Sequence, residues 1–334
     1  MKRRDFLTQT GALAGAAALG GAAAWPRPAL SQPAKIHRLG TLTPTGPIDE
    51  KSPLGSILLK QLAQQGYVLG QNLALDARGV AGQVNKLGET VRAMKADQVD
   101  LVVVTGFPTV LACKVENVPT VVAFGAGDPV ATHLIDSLAH PDGNVTGISD
   151  NATALSTKRL ALIKQAVPGV KRVAMMWNRD DLGMSMRYES SSAAAKSMDV
   201  AVQPLGVREP DDFNGVFESM DREPPDAILM VADSLTVLNR KRVFDYATAH
   251  HIPAMYEYTF MTKDGGLMSY GPDLTESFQR AGDLAARIFK GAKPGDLPFE
   301  EPTRYPLVVN LKAAKATGIN LPPEFVALAD EVIE

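Results

Sequence analysis

The sequence predicts an α/β protein of two similar lobes, each built on a parallel sheet. Strand-like apolar runs alternate with helical segments along the chain, which is the pattern of parallel strands joined by right-handed crossovers. One such unit occurs twice, as DLVVVTGFPTVL at 100–111 and as DAILMVADSLTVL at 226–238. A length of 334 residues also suits two domains better than one.

The first lobe is expected over residues 34–147. Residues 36–42 are typical of a strand that stops at Pro44, and residues 52–67 carry apolar side chains at helical spacing. The run LVVV at 101–104 is apolar on both faces, which suits a central strand covered by helices on each side. The remaining predicted elements are a strand at 72–80, a helix at 83–98 and a strand at 118–124.

The second lobe is expected to begin at residue 148 and to run to about 268, with the same alternation of helix and strand. Its predicted helices lie at 156–167, 184–198, 211–220 and 236–250, and its predicted strands at 172–177, 200–205, 227–231 and 252–256.

Residues 1–31 are typical of an export signal rather than of either lobe. The segment RRDFL at 3–7 has the twin-arginine form, and a mild Ala/Gly-rich stretch follows it. Small residues at Ala29 and Ser31 indicate cleavage between Ser31 and Gln32. We therefore expect a periplasmic protein exported by the twin-arginine pathway.

Composition and motifs exclude several classes of function. A formal charge of −3 without a basic patch argues against nucleic acid as a partner. Cys113 is the only cysteine, so an internal disulfide is excluded, and a buried apolar role suits it better than a nucleophilic one. Neither a dinucleotide fingerprint nor a phosphate-binding loop occurs, and no histidine set has metal-ligand spacing. We expect neither a cofactor nor a metal.

Ligands of open parallel sheets bind beyond the carboxyl ends of the strands, so residues that follow strands are the candidate ligand-binding residues. The candidates chosen on this basis are Thr43, Thr105, Gly106, Phe107, Thr109, Asp128, Asp150, Asn178, Asp233, Glu257 and Tyr258.

These candidates suggest a charged and partly aromatic ligand. Amides and hydroxyls at 105–109, where a helix begins, suit a carboxylate. One or more of Asp128, Asp150 and Asp233 suits an ammonium group, and Phe107 with a tyrosine suits an aromatic ring. Each acid and Thr109 could instead serve only as a helix cap or turn residue.

Three segments resemble the ABC-transporter substrate-binding family of the tryptophan/tyrosine type. They are DPVATHL at 128–134, AHPDGNVTGISD at 139–150 and VVNLKAAKATGINLPPEFVALADEVIE at 308–334. The resemblance implies a type I periplasmic binding fold, in which Rossmann-like lobes are joined by several crossovers. It implies that the chain returns to lobe 1 over about 270–300 and to lobe 2 over about 303–334. The family's ligand loops match Thr105 to Thr109, Asp128, Asp150, Asn178, Asp233 and Glu257.

The resulting prediction is a monomeric, non-enzymatic receptor that binds a small carboxylate-bearing solute, an amino acid or an aromatic acid, and delivers it to an ABC permease. The first loop, TLTPTGP at 41–47, lacks the His-Pro pair of many members, so the resemblance leaves the identity of the solute open. One alternative is a two-domain enzyme exported by the twin-arginine pathway. Another is the ligand-sensing half of a repressor, which would need an N-terminal helix-turn-helix.

Overall fold

The computed structural model describes residues 35–334, apart from the side chain of Thr153. The predicted export signal and its cleavage point lie outside the described residues. The first sheet has five parallel strands in the order β2-β1-β3-β4-β5. Its strands are β1 His37–Thr43, β2 Leu73–Gly79, β3 Leu101–Thr105, β4 Thr120–Phe124 and β5 Val145–Gly147.

The second sheet has seven strands in the order β12-β11-β10-β9-β8-β6-β7. The pair β10–β11 is antiparallel, and the other pairs with a defined register are parallel. Its strands are β6 Arg172–Asn178, β7 Ala201–Val207, β8 Ala227–Met230, β9 Ala254–Tyr256, β10 Met268–Tyr270, β11 Leu307–Asn310 and β12 Glu331–Ile333. The prediction of an α/β protein with two mostly parallel sheets is confirmed.

Helices cover both faces of each sheet. In the first half of the chain they are α1 Pro53–Gln64, α2 Leu87–Ala96, α3 Phe107–Val115, α4 Ala152–Ala166, α5 Leu182–Ser197 and α6 Asp212–Arg222. In the second half they are α7 Ser234–Leu238, α8 Arg240–Ala249, α9 Thr259–Lys263, α10 Leu274–Phe289, α11 Leu311–Thr317 and α12 Pro323–Val326. Two 3₁₀ turns lie at Val84–Lys86 and Pro294–Asp296.

The predicted helix at 236–250 is in fact two helices, α7 and α8. The chain breaks at Asn239, which has φ −98° and ψ 5° and whose side-chain amide donates to the carbonyl of Leu235 at 2.9 Å. An asparagine side chain that bonds to a nearby carbonyl competes with the helical backbone, and this explains the break.

The chain passes between the two sheets at three places. It leaves the first sheet after β5, and it leaves the second after β10 so that α10 packs against α1 and β4. It then returns to form β11. Two of these crossing segments bond to each other, because the amide of Ser149 donates to the carbonyl of Glu300 at 2.8 Å. We call the body around the first sheet, including α10, lobe 1, and the body around the second sheet lobe 2.

Each lobe has its own apolar core. In lobe 1, Phe278 and Leu284 of α10 pack in one cluster with Leu39 of β1 and Leu58 of α1. In lobe 2, strand residues such as Met175 and Leu229 pack against α4 on one face, and Phe213 of α6 packs against the other face. Among the described residues, no helix is both long and apolar enough to cross a membrane.

Candidate functional site

A cavity of about 340 Å³ lies between the lobes, where the carboxyl ends of β1, β3 and β4 face those of β6, β8 and β9. From lobe 1 it is lined by Thr43, Pro44, Thr45, Ile48, Leu54, Thr105, Gly106, Phe107, Pro108, Phe124 and Gly125. From lobe 2 it is lined by Asp181, Met184, Ala232, Asp233, Ser234, Val237, Leu238, Arg240, Tyr258 and Phe260. We call it the interlobe cavity.

The lobe 1 wall supplies hydrogen-bond donors. Helix α3 begins at this wall, and within residues 35–334 no side chain caps its first turn. Its N-cap is Gly106, whose φ of 79° lies in the left-handed region that favours glycine. The buried hydroxyl-bearing residue Thr105 lines the cavity beside it. An uncapped helix start with an adjacent hydroxyl is suited to an anion such as a carboxylate.

The lobe 2 wall supplies two carboxylates, those of Asp181 and Asp233. Asp181 caps α5 by accepting from the amide of Met184 at 3.2 Å, and Asp233 caps α7 by accepting from the amide of Thr236 at 2.8 Å. Burial of Asp181, together with the nearby charge of Asp233, raises its pKa to about 6. Two acids on one wall give that wall a local negative charge suited to a cation.

Aromatic rings complete the cavity. The rings of Phe124 from lobe 1 and Tyr258 from lobe 2 lie edge to face, with centroids 5.3 Å apart. Tyr258 is also stacked with Phe260 at 5.9 Å. Burial raises the pKa of Tyr258, so its hydroxyl stays neutral. The three rings therefore give this part of the cavity a largely apolar lining.

The lobes touch at the rim of this cavity. A Cβ built on Gly127 of lobe 1 would lie 3.3 Å from the Cα of Gly183 in lobe 2. One built on Gly82 of lobe 1 would lie 3.0 Å from a methyl group of Leu238 in lobe 2. The contacts show a closed arrangement that depends on glycine at the points of closest approach.

The candidate residues predicted from the sequence fall into two sets. Those that the structure places on the interlobe cavity are Thr43, Thr105, Gly106, Phe107, Asp233 and Tyr258. The others lie elsewhere. Asn178 stands behind the wall and donates to Asp233 at 2.6 Å, and Thr109 is fully buried. Asp128 accepts from the amides of Val130 and Ala131 in its own turn.

The last two candidates, Asp150 and Glu257, belong to a buried cluster of ion pairs next to the cavity. Arg187 of α5 donates to Asp150 in the crossing after β5, and to Glu257 at the end of β9, the latter at 2.7 Å. Arg159 of α4 donates to the other oxygen of Glu257 at 2.7 Å. All four side chains are at most 3 % exposed.

The cluster is electrostatically balanced and internally bonded. Burial alone lowers the pKa of Arg187, but the carboxylates of Asp150 and Glu257 outweigh that effect and hold it well above its usual value. Glu257 also accepts from the amide of Ala232, and Arg159 donates to the carbonyl of Tyr270 at 2.6 Å. These bonds tie the ends of β8, β9 and β10 to two helices, directly beside Tyr258.

Cys113 is fully buried in α3, and burial raises the pKa of its thiol to about 12. Across residues 35–334, no group of three or more His, Cys, Asp or Glu side chains could hold a metal ion.

Two α/β lobes that are joined by three crossing segments and enclose one cavity at the carboxyl ends of their strands fit a type I periplasmic binding fold. The chain belongs to the family described as ABC transporter substrate binding protein, whose sequence profile matches residues 55–333. The resemblance found in the sequence is thereby confirmed.

Individual relatives are distant in sequence. A tyrosine-binding protein of Clostridioides difficile (strain R20291) is 24 % identical over 260 residues, which are 77 % of this chain and 74 % of that protein. A conserved domain protein from Vibrio cholerae has a TM-score of 0.82 at 23 % identity, covering 89 % of this chain and 100 % of that one. An ABC domain from Streptococcus pneumoniae in complex with L-Trp has a TM-score of 0.80 at 24 % identity, covering 90 % and 100 %. The structural likenesses establish the fold.

Proposed function

We propose that the protein binds a zwitterionic amino acid with an aromatic side chain in the interlobe cavity. The observation that carries this proposal is the division of polar groups between the walls. The hydroxyl of Thr105 and the start of α3 come from lobe 1, whereas the carboxylates of Asp181 and Asp233 come from lobe 2. A ligand with both charges bonds to both lobes at once, and its ring packs against the aromatic side chains of Phe124 and Tyr258.

We further propose that the protein is a monomeric, non-enzymatic periplasmic receptor that delivers this solute to the permease of an ABC importer. A ligand that bridges the two lobes shifts the receptor toward its closed form, and the closed form is what a permease can recognise. The family match, the tyrosine-binding relative and the relative in complex with L-Trp support this proposal. The enzyme alternative gains no comparable support.

Isothermal titration calorimetry with matched analogues tests the proposal. L-tyrosine and L-tryptophan should bind, while tryptamine, which lacks the carboxylate, and indole-3-propionate, which lacks the ammonium group, should each bind at least about tenfold more weakly, as expected when a bond to a charged group is lost. Equal affinity for indole-3-propionate and L-tryptophan would show that Asp181 and Asp233 do not bind the ammonium group of the ligand.

Binding should depend on pH through Asp181. Its raised pKa of about 6 means that the carboxyl is half protonated near pH 6, with Asp233 favouring the proton and Arg187 opposing it. An ammonium group pairs with the ionised form, so affinity should fall about tenfold from pH 7 to pH 5, a range in which the ligand stays zwitterionic. Calorimetry at both pH values measures this. In Asp181→Asn the affinity should be nearly independent of pH. If the affinity of that variant fell as much as that of the wild type, another group would be responsible for the pH dependence.

Closure should be sensitive to the glycine contact at the rim. Gly127 has φ 72°, and a methyl group there would press on Gly183 across the cleft. Gly127→Ala should therefore weaken ligand binding and leave the liganded protein more open by small-angle X-ray scattering. Gly143→Ala is the matched control, because Gly143 has φ 70° but its added Cβ would have no heavy atom of residues 35–334 within 4 Å. If both changes weakened ligand binding equally, the loss of affinity would be due to backbone strain and not to contact with Gly183.

A further inference from the structure

Three half-buried apolar side chains, those of Ile48, Leu54 and Phe260, line two cavities at once. On one side is the interlobe cavity, and on the other is a groove of about 560 Å³ along the seam between the lobes. We call it the seam groove. Ile48 precedes α1 and Leu54 lies in its first turn, both in lobe 1, whereas Phe260 lies on α9 in lobe 2. The barrier between the two spaces is therefore built from both lobes.

The seam groove adjoins the apolar part of the interlobe cavity. The polar residues Thr105, Asp181 and Asp233 line the interlobe cavity but do not line the seam groove. If these three residues hold the charged end of a ligand, the side chain of the ligand points toward the barrier formed by Ile48, Leu54 and Phe260. The groove begins where the ligand's side chain would end.

The groove could hold an extension of that side chain. Next to the barrier it is lined by the half-buried apolar residues Ile57 and Leu274. Four of its five charged lining residues form ion pairs, since Lys263 lies 2.9 Å from Glu331 and Arg304 lies 3.3 Å from Asp273. The fifth, Asp330, accepts from the backbone amide of Leu307 at 2.8 Å. Because most of its charges are paired and its residues next to the barrier are apolar, the groove suits an uncharged, apolar or weakly polar substituent.

We propose that Ile48, Leu54 and Phe260 form a wall one side chain thick that limits the length of the ligand's side chain. The wall determines specificity: it admits an aromatic amino acid and excludes one that carries a large substituent at the far end of its ring. This inference rests on the proposed function, because that function sets the direction in which the side chain points.

Removal of the wall should extend the range of ligands. The wild-type protein is expected to bind L-tyrosine and to discriminate against O-benzyl-L-tyrosine by at least about 100-fold, since a closed apolar cavity rejects a group that does not fit. Phe260→Ala should reduce that discrimination at least about tenfold by joining the two spaces. Calorimetry with both ligands gives the ratio. Leu54→Ala shortens the wall residue of lobe 1 and should also reduce the discrimination against O-benzyl-L-tyrosine. With two variants, a folding defect in one of them does not prevent the test.

Leu238→Ala is the matched control. Leu238 lines the interlobe cavity but lies outside the lining of the groove, so its removal enlarges the cavity without opening the wall. The inference is overturned if neither wall variant gains affinity for O-benzyl-L-tyrosine, or if Leu238→Ala gains as much. If the wild-type protein binds no aromatic amino acid, the proposed function fails instead. The wall is then tested by a crystal structure of Phe260→Ala, in which two spaces that remain separate would overturn it and one continuous space would support it.

Discussion

Replacement of Arg187 by methionine is expected to lower the free energy of unfolding by about 3–5 kcal/mol, the usual cost of breaking a buried ion pair. Arg187 is 2 % exposed and bonds to both Asp150 and Glu257. Without it, Asp150 loses its bonded cation while it remains buried, and Glu257 keeps only Arg159. A carboxylate left in that position cannot be solvated by water, and the folded state bears the cost.

Chemical denaturation followed by circular dichroism measures this change. The matched control is Arg222→Met, because Arg222 pairs with Glu218 at 3.9 Å on the surface, where both side chains are 71 % exposed. An exposed pair one helical turn apart contributes about 0.5 kcal/mol or less. If the two substitutions cost the same, the cluster is hydrated in solution and does not stabilise the fold as the structure indicates.

Replacement of Asp233 by asparagine is expected to lower the affinity for an aromatic amino acid at least about 30-fold, which corresponds to about 2 kcal/mol. Asparagine caps a helix about as well as aspartate, so α7 should keep its start while the cavity loses a negative charge. Asp181→Asn should act similarly on α5, and the double variant should abolish measurable binding. Calorimetry gives the affinities, and thermal unfolding verifies that the variants fold.

Asp128→Asn provides the control for this prediction. Asp128 also accepts backbone amides in a turn but lies outside the lining of the interlobe cavity, so the same substitution there should leave affinity within about twofold. A loss at Asp128 equal to that at Asp233 would mean that the overall negative charge of the protein, and not the acidic wall, attracts the ligand.

The fold was predictable because its signals are local. Strands β3 and β4 are short apolar runs, and the repeat at 100–111 and 226–238 corresponds to β3 with α3 and to β8 with α7. The two helix starts in this repeat face the same cavity. The break at Asn239 was missed because asparagine is tolerated inside many helices, and only its side-chain bond to Leu235 shows that the helix ends.

The site was only partly predictable because its partners are distant in sequence. Arg187 is 37 residues from Asp150 and 70 from Glu257, so nothing near it distinguishes it from the charged side chains of any helix surface. The same holds for Arg159 and Glu257, which are 98 residues apart. Asp181 is absent from the candidates predicted from the sequence, because an acid just before a helix is typical of a cap. Its cap role is real, and its place on the cavity wall appears only in three dimensions.

The state of Cys113 has a practical consequence for labelling. A thiol that is fully buried and protonated at neutral pH reacts slowly with maleimides, because the thiolate is the reactive form. Fluorophores could therefore be attached to a cysteine introduced on each lobe without first replacing the native one. Energy transfer between two such dyes would follow opening and closing in single molecules of otherwise unaltered protein.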